Sequence, residues 1–92
     1  MDLTLIQSIT TMENVNMKHN FNLIPEQYNH AIVNNNLTIN HNCNFISINI
    51  DLIKHIEECV NTISIIVMND NVCIWYSFYK TIAYVHTSII KL

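Results

Sequence analysis

Between Asp51 and Met68 the chain reads DLIKHIEECVNTISIIVM, and its apolar residues return at the spacing of one helical face. Leu52, Ile53, Ile56, Cys59, Val60, Ile63, Ile66 and Val67 share that face, while Lys54, Glu57, Glu58, Asn61, Thr62 and Ser64 occupy the other. Only Ile65 and Met68 fall on the polar side. Asp51 suits an N-cap, where its carboxylate accepts an orphan N–H bond. The β-branched residues each cost a helix only tenths of a kcal/mol, so the pattern outweighs them. The spacing predicts a helix over 51–68.

Asn69-Asp70-Asn71 then breaks the pattern with turn-forming residues. Beyond it, Trp75, Phe78, Tyr79, Ile82, Val85, His86, Ile89 and Ile90 match the same helical template. Ser77, Lys80, Thr81, Thr87, Ser88 and Lys91 project to the opposite sector. The composition is strand-like, but 72–90 is nineteen residues without a turn signal, well beyond ordinary strand length. A second helix over 72–90, antiparallel to the first, is therefore expected.

The first half of the chain is less periodic. Leu5, Ile6, Ile9 and Met12 share a face, which suggests a short helix over 2–13. Pro25 followed by Glu26 and Gln27 resembles a helix start, since proline suits the first helical position. Tyr28, Ala31 and Ile32 would face inward until Asn34-Asn35-Asn36 ends that helix. Residues 37–50 are ambiguous: Ile46, Ile48 and Ile50 alternate like a strand, while Phe45, Ile48 and Leu52 could extend the following helix backwards. The pattern as a whole predicts a single domain over 1–92, mostly α, built as a small helical bundle around the antiparallel pair near 51–68 and 72–90. The alternative is an α+β fold with strands near 37–50 and 63–68 around one helix.

Composition narrows the function classes. Half of the 92 residues are apolar, enough for a core and against global disorder. Four lysines, no arginine and a net charge of −3 leave no basic field for phosphate. Arginine also makes most bidentate base contacts, so nucleic acid is not an expected partner. Glycine is absent altogether. That removes phosphate-cradling loops and the hydrolase nucleophile elbow, both of which need close backbone approach. The seventeen isoleucines and fifteen asparagines use AT-rich codons, a bias that an AT-rich genome, for example a viral one, writes without selection on function. The Asn-rich run from Asn14 to Asn44 reads as the same drift in solvated segments. The start MDLTLIQSIT lacks the basic region and long apolar core of a secretory signal. With three widely spaced cysteines, this points to an intracellular, cytoplasmic protein with no disulfide.

Three constellations carry candidate chemistry. His41 and Cys43 would project together from an extended segment, and His55 and Cys59 lie one helical turn apart. Two nitrogens and two sulfurs make a tetrahedral zinc site, so zinc is the candidate cofactor. The one-residue spacer between His41 and Cys43 is tighter than a usual knuckle, which favours a competing reading with Cys59 in the core and His55 at its boundary. Glu57 and Glu58 are adjacent and would point apart on a helix, so they form no acid–base dyad. No motif orients a base, and an enzyme is not expected. Finally, Trp75, Tyr76, Tyr79 and Tyr84 are candidate interface residues, because Tyr and Trp bury large area at low entropy cost. Trp75, Phe78 and Tyr79 also fit a core, which leaves Tyr76 and Tyr84 as surface anchors; His86 reads as a hydrogen-bonded core histidine.

The expected function is a non-enzymatic protein–protein interaction module or small regulator, binding a protein partner or itself as a homodimer. One alternative is an interfacial membrane-associated protein that lies on the membrane surface through 72–90. Spanning is disfavoured, because central Lys80 costs about 2.5–3.5 kcal/mol on insertion scales. The other alternative is a small zinc-stabilised domain.

Overall fold

The computed structural model describes residues 19–92. It contains seven strands: β1 (Asn29–Val33), β2 (Asn36–His41), β3 (Asn44–Asn49), β4 (Ile53–Glu58), β5 (Thr62–Asn69), β6 (Val72–Tyr79) and β7 (Val85–Lys91). They form two antiparallel meanders in series, a three-stranded sheet in the order β1-β2-β3 and a four-stranded sheet in the order β4-β5-β6-β7. The only helical pieces among the described residues are two 3₁₀ turns, Phe21–Leu23 and Ile50–Leu52.

The helical bundle is therefore overturned, and so is the α+β alternative, which needs a helix to cover its sheet. The strands that alternative placed at 37–50 and 63–68 overlap β2, β3 and β5. The stretch 51–68 is a β4–β5 hairpin preceded by a 3₁₀ turn, and 72–90 falls in the β6–β7 hairpin. Pro25 starts a turn rather than a helix, with the Tyr28 N–H donating to the Pro25 carbonyl at 3.0 Å. The helix expected over 2–13 lies outside the described residues.

The misreading of 51–68 has a specific cause. The pairing register of β4 against β5 shifts between Ile53 and His55, a bulge that inserts Lys54. The inward residues of β4 are consequently Ile53 and Ile56, spaced by three as on a helix rather than by two as on a regular strand. In β5 the period is two: Ile63, Ile65 and Val67 are at most 4% exposed. Ile65, the misfit on the helical template, is fully buried.

Each sheet turns one face inward. Leu37, Ile39 and Ile48 of the small sheet meet Ile53, Ile65, Val67 and Phe78 of the large one, and Phe21, Ile24, Tyr28 and Ile50 close the core. Strand alternation fixes the outer faces by parity. On the four-stranded sheet, the cross-strand pairs His55–Ile66, Glu57–Ser64, Ile66–Trp75, Met68–Cys73, Cys73–Ile90 and Ser77–His86 all point away from the core.

Tight turns normally take glycine for positive φ, and this chain has none. Asparagine substitutes for it. Asn34 and Asn35, at φ 50° and 60°, form the two-residue β1–β2 loop, and Asn42 and Cys43, at 44° and 66°, form the β2–β3 loop. Positive φ at both central residues is the type I′ signature, whose twist matches that of the flanking strands. Asp70 serves the β5–β6 turn at φ 53°. Asparagine tolerates this conformation through its short polar side chain. Part of the Asn-rich run is thus positional and not drift alone.

The β6–β7 connection, Lys80 to Tyr84, contains no Gly, Pro, Asn or Asp. Its order comes from elsewhere. The hydroxyl of Tyr28, a fully buried residue, lies 2.7 Å from the Tyr79 carbonyl, 2.8 Å from that of Tyr84 and 3.1 Å from that of Ile82. Its single proton serves one of these at a time, while its oxygen accepts the Tyr84 N–H at 3.1 Å. The Gln27 side-chain amide donates to the carbonyls of Lys80 and Tyr79 at 3.0 and 3.1 Å. The Lys80 N–H donates to the Asn61 carbonyl, tying this loop to the β4–β5 turn.

Two expectations follow for stability. Tyr28→Phe keeps the ring but removes the hydroxyl's bonds to the Tyr84 N–H and the loop carbonyls, which each keep one other partner, so denaturant unfolding should show a loss of about 0.5–1.5 kcal/mol; an unchanged midpoint would contradict the anchoring role. Cys43 carries a side chain where positive φ costs roughly 1–2 kcal/mol. Cys43→Gly should therefore raise the thermal midpoint, by about 4–8 °C for each kcal/mol recovered, whereas Ser47→Gly within β3 should lower it.

Candidate functional site

The proposed zinc ligands are distributed over both sheets. His41 ends β2 and Cys43 is in the following turn; His55 is on β4 and Cys59 just beyond it. The helix that would have brought His55 and Cys59 within one turn is a strand, along which four residues span about 13 Å. His55 Nε2 pairs with Glu57 at 3.0 Å, and Cys59 Sγ contacts Ser64 Oγ at 3.8 Å. Among the described residues no three His, Cys, Asp or Glu side chains converge as metal ligands. His41 packs its ring 5.0 Å from that of Tyr28, and its Nε2 is buried without a hydrogen-bond partner among the described residues.

The aromatic candidates separate by face. Tyr76 is on the core side of β6, stacked on Phe78 with ring centroids 6.3 Å apart. Burial raises its phenol above the usual 10.0. Trp75 and Tyr79 point to the outer face, and Tyr79 packs against Tyr84 at 5.3 Å. Tyr84 is exposed in the β6–β7 loop, and His86 is exposed on β7 rather than buried in a core. The amphipathic helix on which an interfacial membrane role rested is a hairpin. Among the described residues, no helix is long and apolar enough to cross a membrane.

What sequence reasoning missed is the β7 margin. Nine large apolar side chains are exposed among the described residues, and five of them, Ile82, Tyr84, Ile89, Ile90 and Leu92, fall within 82–92. On the outer face, Ile90 joins Trp75, Cys73, Ile66 and Met68 in an apolar patch. The clue in the sequence was SIIKL, which places consecutive isoleucines where no single strand face can bury both.

The two edges of the large sheet differ. β4 carries a bulge at Lys54, the charges of Lys54, Glu57 and Glu58, and the polar ring of His55, all devices that discourage edge pairing. β7 reads VHTSIIK, with no fixed charge before Lys91. The Tyr79 N–H donates to the Tyr84 carbonyl and the Leu92 N–H to the Asn71 carbonyl. Both pairs continue the β6–β7 register, so the alternation of an antiparallel ladder assigns His86, Ser88 and Ile90 to bonds with β6. The backbone groups of Val85, Thr87, Ile89 and Lys91 point away from the sheet.

Beside this edge the sandwich is open. A groove of about 370 Å³ runs between His41, Asn44 and Ile46 of the small sheet and Val85 and Thr87 of β7, and Phe45, 64% exposed, also lines it. Tyr84 also lines it. Among the described residues that line it, His41 and Tyr84 are the titratable groups, and none is an Asp, Glu or Cys.

No protein-family model, no curated protein and no solved structure matches this chain.

Proposed function

We propose that this protein is a non-enzymatic interaction module that engages protein through the β6–β7 side of its four-stranded sheet. The observation that carries this reading is the concentration of exposed apolar side chains in 82–92, next to an uncharged sheet edge. Scattered exposed leucines and isoleucines are ordinary, but their concentration around one uncharged edge strand favours a binding surface. Trp75 adds a large aromatic surface to the same outer face, the type of residue that anchors interfaces. The groove favours recognition over catalysis, because its walls supply apolar area and backbone groups rather than a paired acid and base.

Sedimentation at high concentration and affinity capture from host lysate test the reading together. The expected result is self-association, or a retained protein, that is lost in the double variant Trp75→Ser, Ile90→Ser while the fold is kept. A wild-type chain that sediments as a monomer and retains nothing would contradict it.

A further inference from the structure

We propose that the partner of the β7 edge is a second copy of this chain, docked antiparallel to give a continuous eight-stranded sheet across a two-fold axis. The proposal rests on the interaction-module reading and specifies its partner.

Three features of β7 fit its own image. First, the outward backbone groups are at Val85, Thr87, Ile89 and Lys91. An antiparallel copy centred on Ser88 sets Val85 opposite Lys91 of the second copy and Thr87 opposite Ile89, so every outward residue gains a hydrogen-bonded partner. Sliding the pair by one step in either direction leaves an outward residue at a strand end unmatched. Second, the only fixed charge in the strand, Lys91, then faces a valine. In a parallel arrangement two Lys91 ammonium groups would meet, and like charges directly opposite are destabilising. Third, an isologous contact needs one surface to complement itself. A neutral, β-branched edge does so, whereas the β4 edge with its bulge and four charged or titratable side chains does not.

Strand pairing alone buries less than the roughly 800 Å² per partner of a stable interface. The open groove beside β7 offers further surface for the second copy to cover. Val85 and Thr87, which line it, and Ile89 share the core-side face of β7. A strand added beside β7 directs its own core-side residues, Thr87 and Ile89 of the second copy, toward the groove wall formed by His41, Asn44 and Ile46. Ile89, 66% exposed in the single chain, is covered on both copies.

Sedimentation velocity across a dilution series, combined with amide hydrogen exchange, tests the proposal. The mass should rise from one chain, 10.7 kDa, to two with concentration. The amides of Val85, Thr87, Ile89 and Lys91 should slow in the same range. Thr87→Pro removes an N–H that makes no bond in the β6–β7 ladder among the described residues, a position where an edge strand accepts proline. Ile89→Lys places a charge in the seam. Each should weaken self-association at least tenfold without altering the far-ultraviolet spectrum. If either variant unfolds, the concentration dependence of exchange in the wild type decides. A constant single-chain mass, or association that neither variant weakens, overturns the proposal. A single-chain mass with slow edge amides overturns it in favour of another segment of the same chain on β7. A single-chain mass with fast amides and a captured protein that depends on Trp75 and Ile90 overturns self-pairing while the interaction-module reading stands.

Discussion

The hydroxyl of Tyr28 holds together two parts of the chain that have no local reason to meet. It reaches the carbonyls of Tyr79, Ile82 and Tyr84 and accepts the Tyr84 N–H, more than fifty residues away in sequence. Lys80–Tyr84 carries little turn preference of its own, and these bonds, with those from Gln27 and to Asn61, hold it in place. With them, β7 folds back on β6, Phe78 is enclosed against the Tyr28 ring at 5.3 Å, and the large sheet gains its fourth strand. The pinned loop leads directly into the β7 edge and the groove beside it. A buried polar group that satisfies several backbone atoms at once is expensive to disturb, which makes it an effective organiser for a small core.

A second constraint is the lack of glycine. Antiparallel meanders need tight turns of defined twist, and among the described residues the chain meets this with asparagine at three of five positive-φ positions, one aspartate and one cysteine. Asparagines also cap the two 3₁₀ turns, Asn20 accepting from the Asn22 N–H and Asn49 from the Asp51 N–H. The Ile50 N–H donates to the Asn35 carbonyl, so the β1–β2 turn also supports the passage from the small sheet to the large one. The abundant asparagine is thereby put to structural use.

The legibility of this sequence follows from those two constraints. The apolar fraction announced a core, and Asn69-Asp70-Asn71 announced a break where the β5–β6 turn is found. Alternation at Ile46, Ile48 and Ile50 belonged to a strand, β3, and its exit. The fold class was misread because two non-local features imitated helix. The Lys54 bulge converted a period of two into a spacing of three, and the unmarked loop at 80–84 hid a hairpin inside what looked like one continuous element. The warning lay in Ile65, in the β-branched and aromatic composition of 72–90, and in consecutive isoleucines at 89 and 90. The candidate site suffered with the fold. His55 and Cys59 lie one turn apart only on a helix, and Tyr76, expected as a surface anchor, is sent to the core by strand parity. Trp75 and Tyr84, by contrast, reach the surface that the structure leaves apolar.

The claim most exposed to experiment is that 72–91 is a hairpin turned at 80–84. Nuclear Overhauser spectra of the isotope-labelled protein address it directly. In the β6–β7 ladder, Ile74 faces Ile89 and Tyr76 faces Thr87 at positions that are not hydrogen-bonded, where the Cα atoms approach to about 4.5 Å. The account predicts strong cross-strand Hα–Hα peaks for both pairs. An unbroken series of peaks between residues three apart from Trp75 through Ile90, with those Hα–Hα peaks missing, would restore the helix and contradict the account.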